Sequence, residues 1–318
     1  MLFSIVIPVY NRAEKVTPTL QSVLGQRHRP LQVVLVDNMS TDGTLEVLKA
    51  FQAKHSQPDF EVVVTQEQVR SASAARNKGF SLAQGEWILF FDSDDTMRPT
   101  LVEEYQHVIT RQGGTPTHLL DIVAVKACWH GQNGESRTLP FFTTDPLANH
   151  ILHSILATQR YAVRRDFFGE AGGWNSHILQ WDDWELGVRL LLRQPNVAFL
   201  DKPLVDIYDS GEASITGTNF IGQQGKWERV LDVAQRCVSQ SSCPEKRRML
   251  RLIDFRRVVL AAHYAREGYT EAARTLYAPA YHRLSQGCML ARLAVPALYL
   301  HIKHGHRGAS RIARVILR

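Results

Sequence analysis

The sequence predicts an α/β protein: a Rossmann-like, mostly parallel central sheet flanked by helices, with a helical appendage at the C-terminal end. Three observations carry this. Short apolar runs alternate with helical patterns over the first third of the chain, as expected of parallel strands joined by crossover helices. Each run stops abruptly at polar residues, and open α/β sheets bind ligands at that carboxyl edge. Beyond Lys226 the pattern turns to Arg-rich amphipathic helices.

The elements follow in order. Residues 3–9 form a nearly continuous apolar run, the mark of a strand buried on both faces, and the run stops at Tyr10-Asn11. Leu20, Val23 and Leu24 give a helix face. Residues 32–36 form a second strand, closed by Asp37-Asn38, and Leu45, Leu48 and Phe51 give the next helix, with Ser40, Thr41 or Asp42 as its N-cap. Residues 61–65 are a third strand. A helix from Ser71 through Gly79, ending near Gly85, leads to the fourth strand, Trp87-Ile88-Leu89-Phe90-Phe91. Residues 122–127 read as a strand before a hairpin turn at Gly131-Gln132-Asn133-Gly134. Ala171-Gly172-Gly173-Trp174 marks a turn, and Trp181-Asp182-Asp183-Trp184-Glu185-Leu186 leads into a helix over 187–192. Residues 197–200 and 204–207 are two short strands. Helices are expected over 248–265, 270–284 and 289–302, the last broken by Pro296. This divides the chain into an α/β region over 1–225, with a boundary between 96 and 97, and a basic helical region over 226–318.

Composition narrows the class. With 318 residues, 44% apolar and 21% charged, the chain is globular. Cys128, Cys237, Cys243 and Cys288 form no CxxC pair, which fits a reducing compartment. The first residues read as a strand and not as a leader, and no apolar run is long enough to span a bilayer, so a cytoplasmic protein is expected. The net charge of +6 is unevenly placed: from Lys226 onward 18 Lys/Arg face 6 Asp/Glu, a net +12, which leaves −6 for the residues before it. Such asymmetry often marks a surface that meets an anionic partner. Nothing resembles a nucleic-acid reading module, and the acidic front part would repel phosphates, so nucleic acid is excluded.

The chemistry gathers where the fourth strand ends. Asp92, Asp94 and Asp95 place three acids in four positions. Taken alone, the run reads equally as a divalent-cation site or as a polar turn. Asn11 and Asp37 are delivered to the same sheet edge, and that convergence favours a ligand site.

Four ordered motifs then carry a resemblance: Ser4-Ile5-Val6-Ile7-Pro8-Val9-Tyr10-Asn11, Val36-Asp37-Asn38-x-Ser40-Thr41-Asp42-Gly43-Thr44, Ala75-Arg76-Asn77-x-Gly79 and Phe91-Asp92-Ser93-Asp94-Asp95. Together they resemble the inverting glycosyltransferases of family 2, which have the GT-A fold. The resemblance implies that residues 1–225 are the catalytic region, with 1–96 its nucleotide-binding half and 97–225 its acceptor-binding half. It also implies a nucleotide-sugar donor, a UDP-sugar in the first instance, and Mn²⁺ or Mg²⁺ as cofactor. It implies that Pro8, Tyr10 and Asn11 border base and ribose, that Asp37 accepts a hydrogen bond from the base, and that Arg76 approaches the nucleotide or diphosphate. By the same resemblance Asp92 reaches ribose or metal, Ser93 the donor through its backbone, and Asp94 the metal. The metal would stabilise charge on the departing diphosphate.

A second carboxylate centre, Asp182-Asp183-Trp184-Glu185-Leu186, resembles the family's Glu-Asp-x-Asp/Glu-Leu pattern. It implies Asp183 as the base that deprotonates the acceptor hydroxyl, with Trp181, Asp182 and Trp184 on the acceptor side. A capped helix start would also place acids here. Trp174, Trp181 and Trp184 read either as stacking platforms for sugars or as core. One stretch departs from the family: Tyr208-Asp209-Ser210-Gly211-Glu212-Ala213-Ser214-Ile215 lacks the His that many relatives place before Ser-Ile, and Asp209 or Glu212 stands in its place.

The reading is a metal-dependent inverting transferase that adds a sugar to a glycan or lipid-linked glycan in bacterial cell-surface polysaccharide synthesis. A nucleotidyltransferase and an inactive glycan-binding or scaffold relative are the alternatives. The first lacks its usual Gly-rich basic loop, and intact Asp37, Asp92, Asp94 and Asp183 argue against the second. In the tail, the apolar stretch 289–302 with Ile312, Val315, Ile316 and Leu317 fits either an anionic membrane surface, at the inner face of the plasma membrane, or packing on protein, a second subunit of a homodimer included.

Overall fold

The structure, a computed structural model, describes residues 1–112, 119–139, 144–209, 222, 224–286 and 288–317. The chain runs β1 (Phe3–Val9), α1 (Thr17–Leu24), β2 (Leu31–Asp37), α2 (Thr44–His55), β3 (Phe60–Gln66), α3 (Ala72–Leu82), β4 (Trp87–Phe90), β5 (Thr96–Met97) and α4 (Leu101–Gln112). Then come β6 (Ile122–His130), β7 (Ser136–Thr138), α5 (Pro146–His153), β8 (Tyr161–Arg164), α6 (Arg165–Glu170), α7 (Asp182–Leu192) and β9 (Val197–Tyr208). Five helices close it: α8 (Lys226–Gln240), α9 (Lys246–Arg266), α10 (Thr270–Ser285), α11 (Met289–Lys303) and α12 (Ala309–Ile316). Two compact units result. The first holds the described residues of 1–143, 156–179 and 193–214; the second holds those of 144–155, 180–192 and 215–318.

The first unit is one sheet in the order β3-β2-β1-β4-β8-β6-β9-β5, with β7 on β6. The strands β1 to β4 are mutually parallel where they pair, and β6 and β9 are parallel to each other. β5, β7 and β8 pair antiparallel with their neighbours. The apolar runs follow from burial on both faces. Phe3, Ile5, Ile7 and Val9 enter one core with Leu20, Val23, Leu48, Phe51, Leu101 and Tyr105, while Val6, Val34 and Val36 are buried on the opposite face. Gly79 belongs to that opposite face. A Cβ there would sit 2.3 Å from Val6 Cγ1, so α3 reaches the sheet only because residue 79 has no side chain.

Two expectations change. The two short strands over 197–200 and 204–207 are one strand, β9, that continues through Pro203 with register shifts against Val125-Lys126-Ala127. A proline survives there because the irregular register spares it a ladder bond. Nor does Pro296 break its helix: α11 runs from Met289 to Lys303. Proline removes the N–H that Arg292 O would accept, and the Tyr281 hydroxyl donates to that carbonyl instead, at 3.1 Å.

The second unit is helical. α9 is its axis, contacted by α5, α8, α10, α11 and α12, and α5 also packs on α7. Ion pairs tie its polar layer: Arg257 bridges Asp232 and Asp254 at 2.8 and 3.0 Å, and Arg283 meets Asp254 at 2.7 Å. Gly187 of α7 lies so close to the His150 ring of α5 that a Cβ would fall 2.2 Å from Nε2. No helix among the described residues is long and apolar enough to cross a membrane.

Candidate active site

The carboxyl ends of β1, β2 and β4 are adjacent because their strands are, and each turns sharply into its polar residues. Asn11 adopts φ 48° and Met39 φ 61°. Asn tolerates this left-handed region because its short amide bonds locally. Here Asn11 N–H donates to Ser40 Oγ at 2.9 Å, and Asn11 Oδ1 accepts from Thr41 N–H at 2.9 Å. Those bonds lock the β1 loop to the β2 loop. Asp42 reinforces them: the Thr44 hydroxyl first, then the N–H groups of Ala13 and Thr44, hold its carboxyl below the usual range. Ser40 and Asp42 thus tie the two loops together.

Asp37 closes β2, paired in register with Val9 and Gln66, and is fully buried. Its Oδ2 accepts from Gln66 Nε2 at 3.0 Å. Its Oδ1 has no hydrogen-bond partner among the described residues. A buried carboxylate oxygen without a donor is costly, so this atom waits for one. Pro8 is half-buried in the strand just ahead, and Tyr10 is exposed at the loop tip, where the Arg70 guanidinium lies 4.6 Å from its ring centroid.

Asp92 and Asp94 alternate with buried Ser93 after β4 and stay half-exposed. Each meets one arginine. Arg76, buried in α3 at 6% exposure, reaches Asp92 Oδ1 at 2.8 Å, while Arg12 reaches Asp94 Oδ2 at 3.3 Å. Trp174 aims Arg76, lying beneath its guanidinium at 4.4 Å. Trp174 is itself pinned by Asn77 of α3, which accepts its N–H at 2.9 Å and donates to its carbonyl at 2.8 Å. Arg76 and Asn77 of the third motif thus act as a pair.

The third acid of the run turns the other way. Asp95 is 3% exposed, accepts Tyr208 N–H at 2.9 Å and the Gln159 side-chain amide, and gives its own carbonyl to the Thr19 hydroxyl at 2.8 Å. It braces the acidic loop against β9 and α1. Burial first, then the charges of Asp92 and Asp94, push its carboxyl up to about 8. No sequence signal separates it from its two neighbours.

Trp181, Asp182, Asp183 and Trp184 stand in the second unit, at the start of α7. Trp181 holds φ 49°, a strained value for a bulky residue that persists only where surroundings enforce it. Here Trp227 packs edge-on at 4.6 Å and the Arg256 guanidinium of α9 lies 4.4 Å from the Trp181 ring. Asp183 Oδ1 accepts Trp184 N–H at 2.7 Å, and Asp182 Oδ1 accepts Asp183 N–H at 3.0 Å, so these acids also cap the helix. Arg256 feels the Asp183 charge; burial nonetheless pulls its guanidinium down to about 10. Trp184, expected on the acceptor side, is fully buried and donates its indole N–H to Ile151 O at 3.1 Å, so it has no face for a sugar ring. Trp174 is 2% exposed, and only Trp181 of the three is half-exposed. Glu185 is buried and bound bidentately by Arg189 at 2.7 and 2.9 Å.

Asp209 is exposed, while Glu212, Ser214 and Ile215 lie outside the described residues. Among the described residues one cluster has metal-ligand geometry: Cys128, His130 and Asp206. The Arg98 guanidinium engages both Asp206 oxygens, at 2.7 and 2.8 Å.

Residues 4–154 match the family described as glycosyl transferase family 2. Glycosyltransferase GlyG of Streptococcus pneumoniae is 34% identical over 108 residues, 34% of this chain and 35% of GlyG. The putative teichuronic acid biosynthesis glycosyltransferase TuaG of Bacillus subtilis is 35% identical over 103 residues, 32% of this chain and 40% of TuaG. The matched stretch therefore spans well under half the length of these relatives. Among solved structures, S. aureus TarS 1–349 in complex with UDP-GlcNAc superposes with a TM-score of 0.71 at 19% identity, covering 99% of this chain and 92% of that one. The mannosyltransferase PcManGT of Pyrobaculum calidifontis, in complex with GDP-Man and Mn²⁺, gives 0.57 at 16% identity over 99% and 83%. At such identities the superpositions establish the shared fold, a GT-A-like α/β sheet with C-terminal helices.

Proposed function

Because this chain belongs, through its residues 4–154, to glycosyl transferase family 2, we propose that it moves a sugar from a nucleoside diphosphate donor to an acceptor hydroxyl in cell-surface polysaccharide assembly. The observation that carries this is Asp37: a fully buried carboxylate with one unsatisfied oxygen, at the sheet edge where Asp92 and Asp94 emerge. A nucleobase imino or amino N–H supplies the donor that Oδ1 lacks. Tyr10 stacks on the base once Arg70 moves aside, and Asn11 borders the ribose. UDP-sugars are the first donors to test, since the TarS complexes hold UDP and UDP-GlcNAc, with GDP-sugars next, since PcManGT holds GDP-Man.

Asp92 and Asp94 fit a hard divalent cation. They offer half-exposed oxygen ligands and no sulfur or nitrogen, and their charges add to burial in raising Asp95. When bound, Mg²⁺ or Mn²⁺ neutralises charge on the diphosphate. Arg76 and Arg12, each held to one of these carboxylates, are cations beside the same charge. Asp95 keeps the loop in place without joining it.

Transfer with inversion needs a base for the acceptor hydroxyl. Asp183 takes that role: its carboxylate accepts the hydroxyl proton as the acceptor oxygen bonds to the anomeric carbon and the bond to the diphosphate oxygen breaks. The glycan or lipid-linked glycan that provides the hydroxyl meets the half-exposed Trp181, whose ring offers a stacking surface.

Thermal-shift titration with UDP, GDP, CDP and dTDP, with and without Mn²⁺, tests the donor site. At least one nucleotide is expected to raise Tm, and Asp37→Ala to abolish the rise while leaving the unliganded Tm within a few degrees. Absence of any nucleotide shift, or an undiminished one in Asp37→Ala, overturns the reading.

A further inference from the structure

The helix α11 has two apolar faces, and among the described residues only one is covered. Ala291, Val295, Leu298 and Ile302 are buried, at the spacing of one helix face, where α11 meets α9 and α10. On the opposite face Met289 is 80% exposed, Leu293 70% and Leu300 51%, with Leu290 at 57% beside them. α12 repeats the arrangement: Ala309, Ala313 and Leu317 are buried, while Ile312 and Val315 stand 49% and 62% exposed. Of the fourteen exposed large hydrophobic residues among those described, these two helices hold six. Single exposed apolar residues need no explanation, but a bare helix face does.

Charge decides what covers it. No Asp or Glu occurs after Glu271, whereas eight Lys/Arg follow. Arg292 and Lys303 border the bare stripe on α11, and Arg311 borders that on α12; all three are exposed. Two copies of this surface would bring like charges together. Anionic headgroups instead attract the basic rim while acyl chains receive the leucines, the arrangement of helices that lie in a membrane interface.

We propose that the bare faces of α11 and α12 form a docking surface for a bilayer rich in anionic lipid, on which the helices lie flat. This stands apart from the sugar-transfer reading and requires no part of it.

The test is co-sedimentation of the full chain with vesicles of phosphatidylcholine alone or containing about one third phosphatidylglycerol, a composition that supplies the negative surface potential. Binding is expected only to the anionic vesicles, and salt should weaken it. Leu293→Glu/Leu300→Glu should weaken binding at least tenfold, and Arg292→Glu/Arg311→Glu should weaken it on anionic vesicles. Both pairs are exposed, so Tm and nucleotide response should stay unchanged, which separates loss of docking from loss of fold. Equal binding by the leucine variant, equal binding to neutral vesicles, or no binding by the parent chain each overturns the proposal. Sedimentation velocity completes it: a dimer that Leu293→Glu/Leu300→Glu dissolves would assign the face to a second copy instead.

Discussion

The two units use carboxylates in opposite ways. In the first, acids at strand ends work as a group: Asp92 and Asp94 face outward, each matched by one arginine, and their field helps keep the buried Asp95 protonated. In the second, the Arg256 guanidinium lies against the Trp181 ring and near that of Trp184, and it feels the charge of Asp183 at the start of α7. The proposed reading thus asks one side-chain type to hold a cation, to brace a loop and to accept a proton, according to its surroundings.

The sharpest break between the units comes from Asp183→Asn. The amide keeps the cap on Trp184 N–H through its oxygen but cannot take a proton. Transfer is expected to fall by about 10²–10⁴-fold, the usual worth of a positioned base. Nucleotide affinity, which the proposed donor site assigns to the first unit, should be unchanged by calorimetry. Retention of full transfer activity would remove Asp183 from the mechanism.

The units should also answer pH with opposite sign. Burial pulls His150 down to about 4, against 6.5 when exposed. Its ring stays neutral in the fold, so the unfolded chain binds the extra proton between those values. Stability is therefore complete above pH 6.5 and lost as pH falls toward 4, by about 3 kcal/mol for a fully buried ring. His153, lowered for the same reason, adds to the loss. Urea unfolding at pH 7 and pH 4.5 measures it. His150→Gln, which can still donate to Trp184 O, should flatten the slope; an unchanged slope would place the acid sensitivity elsewhere.

In the first unit Asp95 has the raised value, about 8, so here the folded state binds the extra proton and stability declines as pH rises from about 4 to 8. Asp95→Asn removes that decline. It should stabilise the metal-free chain at pH 8 by about 2 kcal/mol, part of the gain being offset by a weaker acceptor for Tyr208 N–H. At pH 4 it should change little. Destabilisation at both pH values would mean that Asp95 is ionised in the fold.

These contrasts show what the sequence could and could not disclose. Strands β1, β2 and β4 were legible because burial on both faces demands uninterrupted apolar runs, and β3, at the sheet edge, because its short run of valines survives between polar residues. β8 was not: Tyr161 to Arg164 is four residues long, too short for any periodicity to stand out. The outward acids were visible as a cluster, yet which one turns inward depends on Gln159 and Tyr208, 64 and 113 positions away. Likewise the aromatic residues around Asp183 were visible, but Trp184 is core and Trp181 is not, a distinction made by α5 and α8 packing at long range. Local pattern fixes elements; tertiary contact fixes which side chains remain free to act.

Arg256 gives the smallest and most discriminating effect. It lies against Trp181 and within 5.6 Å of the Trp184 ring centroid, and its charge acts on Asp183. A cation so placed favours the carboxylate over the acid. Arg256→Gln should therefore raise the Asp183 pKa and move the acidic limb of the kcat/KM profile upward by about one pH unit, whereas Arg256→Lys should leave the limb in place even if its poorer stacking lowers the rate. A role confined to packing on Trp181 would lower both variants without moving either limb. Because Arg256 belongs to α9, an upward shift in Arg256→Gln alone would make a C-terminal helix part of the machinery that sets the base.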